Sequence, residues 1–218
     1  MSRLLVFDLD GTLVDSVGGI AVSVNRTRAD YGFEPLPREV ISSFTGDGAV
    51  KLLERSFADV ALPVPVEEAV ARMIRHYADD PVADSALYPG VAEGMKALYE
   101  SGWLLTVVSN KPVVVGEKIL SFFGILPYLA ENIGGGSGFP LKPEPDALVF
   151  LMKKYQVAQE NVWMVGDHHT DLNFALNGGV RSIFCKYGFG TQGNVPFTSE
   201  AESFSDCVEI LSASLTEM

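Results

Sequence analysis

Arg3-Leu4-Leu5-Val6-Phe7-Asp8-Leu9-Asp10-Gly11-Thr12 sets the architecture of this chain. Its first half is short and apolar throughout rather than alternating, as expected of a strand covered on both faces. It then gives way at once to two carboxylates and a glycine, so the strand empties into a loop. Three later runs repeat the theme: Trp103 to Val108 ends at Ser109-Asn110, Asn161 to Val165 ends at Gly166-Asp167, and Arg181 to Cys185 precedes a glycine-rich loop. Helical patterns lie between them, over Val91 to Glu100, Val113 to Phe123, Pro145 to Tyr155 and Thr170 to Asn177. Strand and helix in alternation, with short links, predict an α/β fold: a doubly wound parallel sheet with helices on both faces.

The stretch from about Ser16 to Ser85 breaks this rhythm. It shows no convincing strand, and its apolar residues group as three helices around Ile20 to Tyr31, Val50 to Phe57 and Val66 to Tyr77. Asp80-Pro81 and Tyr88-Pro89-Gly90 mark the return to alternation. The expected organisation is therefore a core of residues 1–15 and 86–218 with an all-helical insertion, 16–85, hinged near Asp15-Ser16 and Ser85-Tyr88.

The 218 residues carry 16 Lys plus Arg against 28 Asp plus Glu, a net charge of −12. That argues against a broad nucleic-acid-binding or anionic-lipid-binding surface. No apolar run approaches the roughly 18 residues of a membrane span, and the first run is too short for a signal-peptide core. Two cysteines, Cys185 and Cys207, read as reduced thiols of a cytoplasmic protein.

In an open α/β sheet, ligands bind beyond the carboxyl ends of the strands. Topology brings Asp8 and Asp10, Ser109 and Asn110, then Asp167 and Asp171 to that edge. Clustered carboxylates repel and partly protonate unless a cation shares the site. All-oxygen ligands with room for water suit Mg²⁺. A calcium loop counted from Asp8 needs glycine at its sixth position and glutamate at its twelfth. Leu13 and Gly19 stand there instead.

On these residues the chain resembles the haloacid dehalogenase-like phosphohydrolases. Four signatures stand in the family's order: Asp8-Leu9-Asp10-Gly11-Thr12, Ser109-Asn110, Lys142-Pro143, and Gly166-Asp167-His168-His169-Thr170-Asp171. Asp15-Ser16, Thr45-Gly46-Asp47-Gly48, Tyr88-Pro89-Gly90, Ser109-Asn110-Lys111-Pro112 and Tyr187-Gly188 are similar to the phosphoglycolate phosphatase branch. The resemblance implies a Rossmann-like core with a small helical cap, and a Mg²⁺-dependent phosphomonoester hydrolase acting through an aspartyl phosphate. It implies Asp8 as nucleophile and Asp10 as acid, then base. It implies Mg²⁺ on the Asp8 carboxylate, the Asp10 carbonyl and Asp167, with Asp171 orienting the metal's water shell. Gly11, Thr12, Ser109, Asn110 and Lys142 would hold phosphate.

The implied substrate is 2-phosphoglycolate or a similar small phosphorylated metabolite, with the protein a monomer or homodimer. A β-phosphoglucomutase-like mutase, an inorganic pyrophosphatase and a catalytically silent phosphoester-binding protein are the competing readings. No histidine in the first cap helix supports the mutase. The intact acids and Lys142 weigh against the silent protein.

Selectivity would come from the cap. Gly46, Asp47 and Gly48 precede a helix whose Lys51 and Arg55 stand one turn apart. Helix N–H groups and dipole would favour the carboxylate of a small phosphorylated acid there. The competing reading is two basic residues that only solvate the helix. Lys111 follows Asn110, but a lysine that begins a helix is ordinarily solvated, so it is not counted as catalytic. His168 and His169 read as polar residues at a helix start rather than a zinc site. Gly188 to Gly193 matches a dinucleotide fingerprint in letters only, because Asn194-Val195-Pro196 follows instead of a helix. It reads as a loop at the rim of the site, and Gly134 to Gly138 as a flexible turn.

Overall fold

The structure, a computed structural model, describes residues 2–214; Met1 and residues 215–218 of the expected core lie outside it. In chain order the elements are β1 (Leu4–Phe7), β2 (Val14–Asp15), α1 (Val17–Asp30), α2 (Arg38–Ser42), α3 (Ala49–Ser56), α4 (Val66–Asp79), β3 (Ala86–Leu87), α5 (Val91–Glu100), β4 (Leu104–Pro112), α6 (Val113–Phe122), β5 (Leu129–Gly135), α7 (Asp146–Tyr155), β6 (Val162–Gly166), α8 (His169–Gly178), β7 (Arg181–Cys185), β8 (Ser199–Ala201) and α9 (Phe204–Ala213). Six strands form one sheet in the order β5-β4-β1-β6-β7-β8. Every pairing in it is parallel, with Leu4 opposite Leu104 and Val162. β1 lies between β4 and β6, which is why Asp8, Ser109 and Asp167 end side by side. Among the described residues no helix is long and apolar enough to cross a membrane.

Alternate residues of β1 feed opposite faces of the sheet. Leu4 and Val6 pack with Leu148 and Leu151 of α7 and Phe174 of α8. Leu5 and Phe7 pack with Met95 of α5, Ile119 of α6 and Phe204 of α9, in an apolar cluster that continues into the inserted helices. All four β1 side chains are fully buried, each worth about 1.5–3 kcal/mol of transfer free energy. A polar residue at any of them would weaken the site's mounting before touching its chemistry.

Four helices, α1 to α4, occupy the segment between β2 and β3. These two strands pair antiparallel, Val14 with Leu87 and Asp15 with Ala86. The chain thus leaves for these helices and returns at one two-stranded stem. Within the insertion, Arg28 is 2% exposed and bridges separate elements. Its Nε donates to the Glu34 carbonyl, and its two terminal nitrogens meet the Asp59 carboxylate oxygens at 2.9 Å each. That bidentate pair holds Asp59 below the usual carboxylate range.

Two expectations need correction. Gly134 and Gly135 are not a flexible turn: they end strand β5, the sheet's outer strand beside β4. Added methyl groups there would meet the Lys111 and Asn110 backbone, so glycine lets β5 approach β4 closely. β4 runs to Pro112, three residues past Ser109, so Lys111 lies in a strand and does not begin a helix.

Candidate active site

Asp8 follows β1 directly, its backbone N–H donating to the Val165 carbonyl at 2.9 Å. The loop then turns tightly: Leu9, fully buried, offers its carbonyl to the N–H groups of Thr12, Leu13 and Val14. Gly11 has φ +82°, and a Cβ there would sit 2.0 Å from Asp167 Oδ2. Only glycine satisfies both the backbone and the space. Asp167, after β6, accepts from the Gly190 N–H at 2.7 Å and from Thr12 Oγ1 at 3.4 Å. Gly190 belongs to the loop after β7, so that loop does form the rim of the site and carries no nucleotide fingerprint.

Lys142, 5% exposed, reaches the acids from the loop before α7. Its Nζ lies 2.8 Å from Asp8 Oδ1 and 2.6 Å from Asp171 Oδ1. The contact with Asp8 is an ion pair in distance but is not aligned as a hydrogen bond, so that buried oxygen has no well-directed donor. Asp171 Oδ2 accepts from the His168 N–H at 3.0 Å, which fixes the acid at the start of α8. The Asn110 side chain is also committed: its amide donates to the Gly46 and Lys142 carbonyls at 2.9 Å each and accepts from the Lys142 N–H. Any ligand must therefore meet the backbone of Asn110. The same amide ties β4 to the inserted helices.

Carboxylate oxygens of Asp8, Asp167 and Asp171 lie within 4.8 Å of one another, and all three residues are buried. Burial pushes Asp8 up to about 6, opposed by Lys142 and reinforced by Asp171 and Asp10. Burial first, then Asp171 and Asp8, push Asp167 well above the usual range. Three buried acids facing one lysine leave an excess of negative charge that only protons or a cation relieve. An oxygen-only donor set with one undirected carboxylate oxygen fits a hard divalent cation. Asp171, expected behind the metal's water shell, contributes to the cluster itself. The Asp10 carboxylate is not part of it.

Asp10 turns the other way and corrects the reading of Lys111. Lys111 is 6% exposed, and its Nζ stands 2.9 and 3.2 Å from the two Asp10 carboxylate oxygens and 2.6 Å from the Tyr77 hydroxyl of α4. Ser16 Oγ donates to Asp10 Oδ1 at 2.5 Å. Pairing with Asp10 and Tyr77 outweighs the burial of Lys111, and its ammonium is held above its ordinary pKa.

These groups line a cleft between the sheet edge and the inserted helices, about 690 Å³ with its mouth included. Thr45, Gly46 and Gly48 line it, as do Ile20, Leu52, Met73 and Ile74. Asp47, Lys51 and Arg55 do not. Arg55 pairs with Asp47 at 2.5 Å, and Lys51 pairs with Glu54 at 2.8 Å in solvent. At the expected cap anion corner both basic residues therefore have carboxylate partners of their own. His168 caps α8 and stacks on His169, ring centroids 4.0 Å apart. Burial and His169 lower its pKa to about 4, so it is neutral near pH 7. Its ring also fills the space a side chain at Gly46 would need.

Proteins already known are similar to this one over nearly the whole chain. A phosphoglycolate phosphatase of Vibrio parahaemolyticus is 32% identical, over 97% of either chain. A plasmid-borne one of Cupriavidus necator is 34% identical, over 97% of this chain and 92% of its own. The crystal structure of a predicted phosphoglycolate phosphatase from Haemophilus somnus 129PT superposes with a TM-score of 0.88 at 29% identity, covering 96% of this chain and 98% of that one. The model of the haloacid dehalogenase-like hydrolases matches residues 5–185, from the first strand through β7 and every acid of the site. With the acids, the lysine and the helical insertion in the family's order, the chain belongs to the haloacid dehalogenase-like hydrolases.

Proposed function

We propose that this protein is a Mg²⁺-dependent phosphomonoester hydrolase working through a phosphoryl group on Asp8, with 2-phosphoglycolate its best candidate substrate. The arrangement of Lys142 between Asp8 and Asp171, with Asp167 completing the acid cluster, carries this reading. The names of the relatives supply the substrate. Residues 16–85 act in it as a cap over the site.

Asp8 attacks phosphorus, and the ester oxygen leaves as the Asp8–phosphorus bond forms. Asp10 gives that oxygen a proton, then takes one from the water that cleaves the acyl phosphate. Lys142 offsets charge on Asp8 and on the transferring group. Ser109, the Asn110 backbone, Gly11 and Thr12 hold the remaining phosphate oxygens. A divalent cation held by Asp8, Asp167 and the Asp10 carbonyl, with Asp171 beside it, would supply further positive charge for the phosphate when bound. The inserted helices exclude water from the cleft with Ile20, Leu52, Met73 and Ile74.

Phosphate release from an aryl phosphate, with and without Mg²⁺, tests the reaction class. Asp8→Asn should lower kcat about a thousandfold or more, because a nucleophile has no substitute in the pocket. Release unaffected by Asp8→Asn would end the reading. A panel of phosphoglycolate, hexose phosphates and pyrophosphate then ranks the substrates. Turnover of pyrophosphate above every ester would favour a pyrophosphatase, and isomerised sugar phosphate a mutase.

A further inference from the structure

We infer that Lys111 is the specificity-determining cation of the cleft, receiving a second anionic group of the substrate and releasing Asp10 as it does so. The inference rests on the phosphomonoester hydrolase reading for the first anion, which goes to Lys142 and the acid cluster.

Lys111 is a buried lysine in a cleft whose lining from the inserted helices includes the apolar Ile20, Leu52, Met73 and Ile74. An ammonium has three donors and accepts nothing. Here all three have partners: the two Asp10 oxygens and the Tyr77 hydroxyl. Two of those three go to the side chain that must hand a proton to the leaving group. A ligand anion entering this wall meets one buried cation and competes with Asp10 for it. A carboxylate replaces the Asp10 oxygens like for like, keeping Lys111 paired and leaving Asp10 with the Ser16 hydroxyl. A neutral substituent cannot take those donors, so Asp10 stays clamped. Selection by charge and readiness of Asp10 thereby become one event. Lys51 and Arg55 offer no such site, since both are already paired outside the cleft. The substrate class this wall fits is a small phosphate ester with a carboxylate a few atoms from the phosphorus.

Two measurements test this, and one needs no turnover. Binding of phosphonoacetate and methylphosphonate to the Mg²⁺-loaded wild-type protein is compared by calorimetry. The carboxylate should tighten binding about ten- to hundredfold, the range of a charge-assisted contact in a desolvated site. Equal affinities overturn the inference without any variant having to fold. Kinetics on phosphoglycolate and an aryl phosphate follow for wild type, Lys111→Met and Lys111→Arg. Lys111→Met should lower kcat/KM for phosphoglycolate about tenfold more than for the aryl ester, with KM rising for phosphoglycolate alone. Lys111→Arg should restore part of that preference. Equal losses on the two substrates would make Lys111 a structural support of Asp10 only, and overturn the inference while the hydrolase stands. No phosphate release from either ester, alongside a phosphonate preference, would instead remove the hydrolase reading and leave the carboxylate site.

Discussion

The cleft holds two buried lysines, Lys142 on its floor and Lys111 where β4 meets the roof of inserted helices, and the two differ in what surrounds them. On the floor, Lys142 sits among carboxylates delivered by strand ends and by the start of α8: Asp8 and Asp171 touch it, and Asp167 completes the cluster. On the roof side, Lys111 meets one carboxylate and one phenol within an apolar wall. The floor has more negative charge than its lysine balances, so it calls for a cation. The roof side is balanced as it stands, so it responds only to a ligand that offers Lys111 something as good as Asp10. The proposed phosphate chemistry and the proposed choice of ester thus rest on two different buried lysines, Lys142 ahead of α7 and Lys111 on β4.

Removing either lysine should expose that difference. Lys142→Met leaves Asp8 and Asp171 facing each other without a counter-charge, in a site where both are buried. Breaking such a buried pair costs about 3–5 kcal/mol, and activity should fall with it. Lys111→Met frees an Asp10 whose side chain is 18% exposed, so water takes over part of the lost pairing and the cost is smaller. Urea denaturation of the two variants in chelator measures this. A larger loss for Lys111→Met would break the comparison.

Metal and proton should compete on the floor and leave the roof indifferent. A carboxylate whose folded pKa lies above its unfolded one binds more protons folded than unfolded. Asp8 goes from 3.8 to about 6, so its contribution to stability declines as pH rises through that window and is flat above it. Asp167 shifts in the same direction. Asp30, Asp59 and Glu131 are lowered by partners elsewhere and give the opposite slope, lost as pH falls. The informative quantity is therefore the gap in Tm between Mg²⁺-loaded and chelated protein. It should widen from pH 5 to about pH 7, because the cation needs ionised ligands. A gap independent of pH would mean the acid cluster does not hold the ion.

Sequence carried the floor almost whole and the roof side hardly at all, and the reason is periodicity. β1, the first half of β4 and β6 are apolar runs, and the motif residues directly follow those runs, so order along the chain already implies convergence in space. β5 was missed because an outer strand with Glu131, Asn132 and two glycines has no apolar run to find. α9 had a readable signal, Ser203 and Asp206 in a capping box ahead of Phe204, Cys207 and Leu211. Lys111 had none. Its burial depends on β4 continuing past Ser109 and on Tyr77 arriving from α4, and no local pattern encodes that meeting. For Lys51 and Arg55 the helical spacing placed them together but said nothing of their partners Glu54 and Asp47.

Those two residues yield the smallest expected effect and the sharpest control. Lys51 and Arg55 are cationic, close in sequence to glycines that line the cleft, and on a helix whose start points toward it. By charge alone they are better anion receptors than a lysine already bound three ways. Yet Lys51 is spent on Glu54 in solvent, where an exposed pair contributes about 0.2–1 kcal/mol at most. Arg55 holds Asp47 and the Phe44 carbonyl, which braces the turn whose Thr45, Gly46 and Gly48 line the cleft. Lys51→Ala should therefore change kcat/KM for phosphoglycolate by less than about twofold. Arg55→Ala should act through the turn, equally on phosphoglycolate and an aryl phosphate. A loss confined to phosphoglycolate in either variant would move the carboxylate from Lys111 to the α3 corner. It would also show that the cap selects by its helix start rather than by the strand end beneath it.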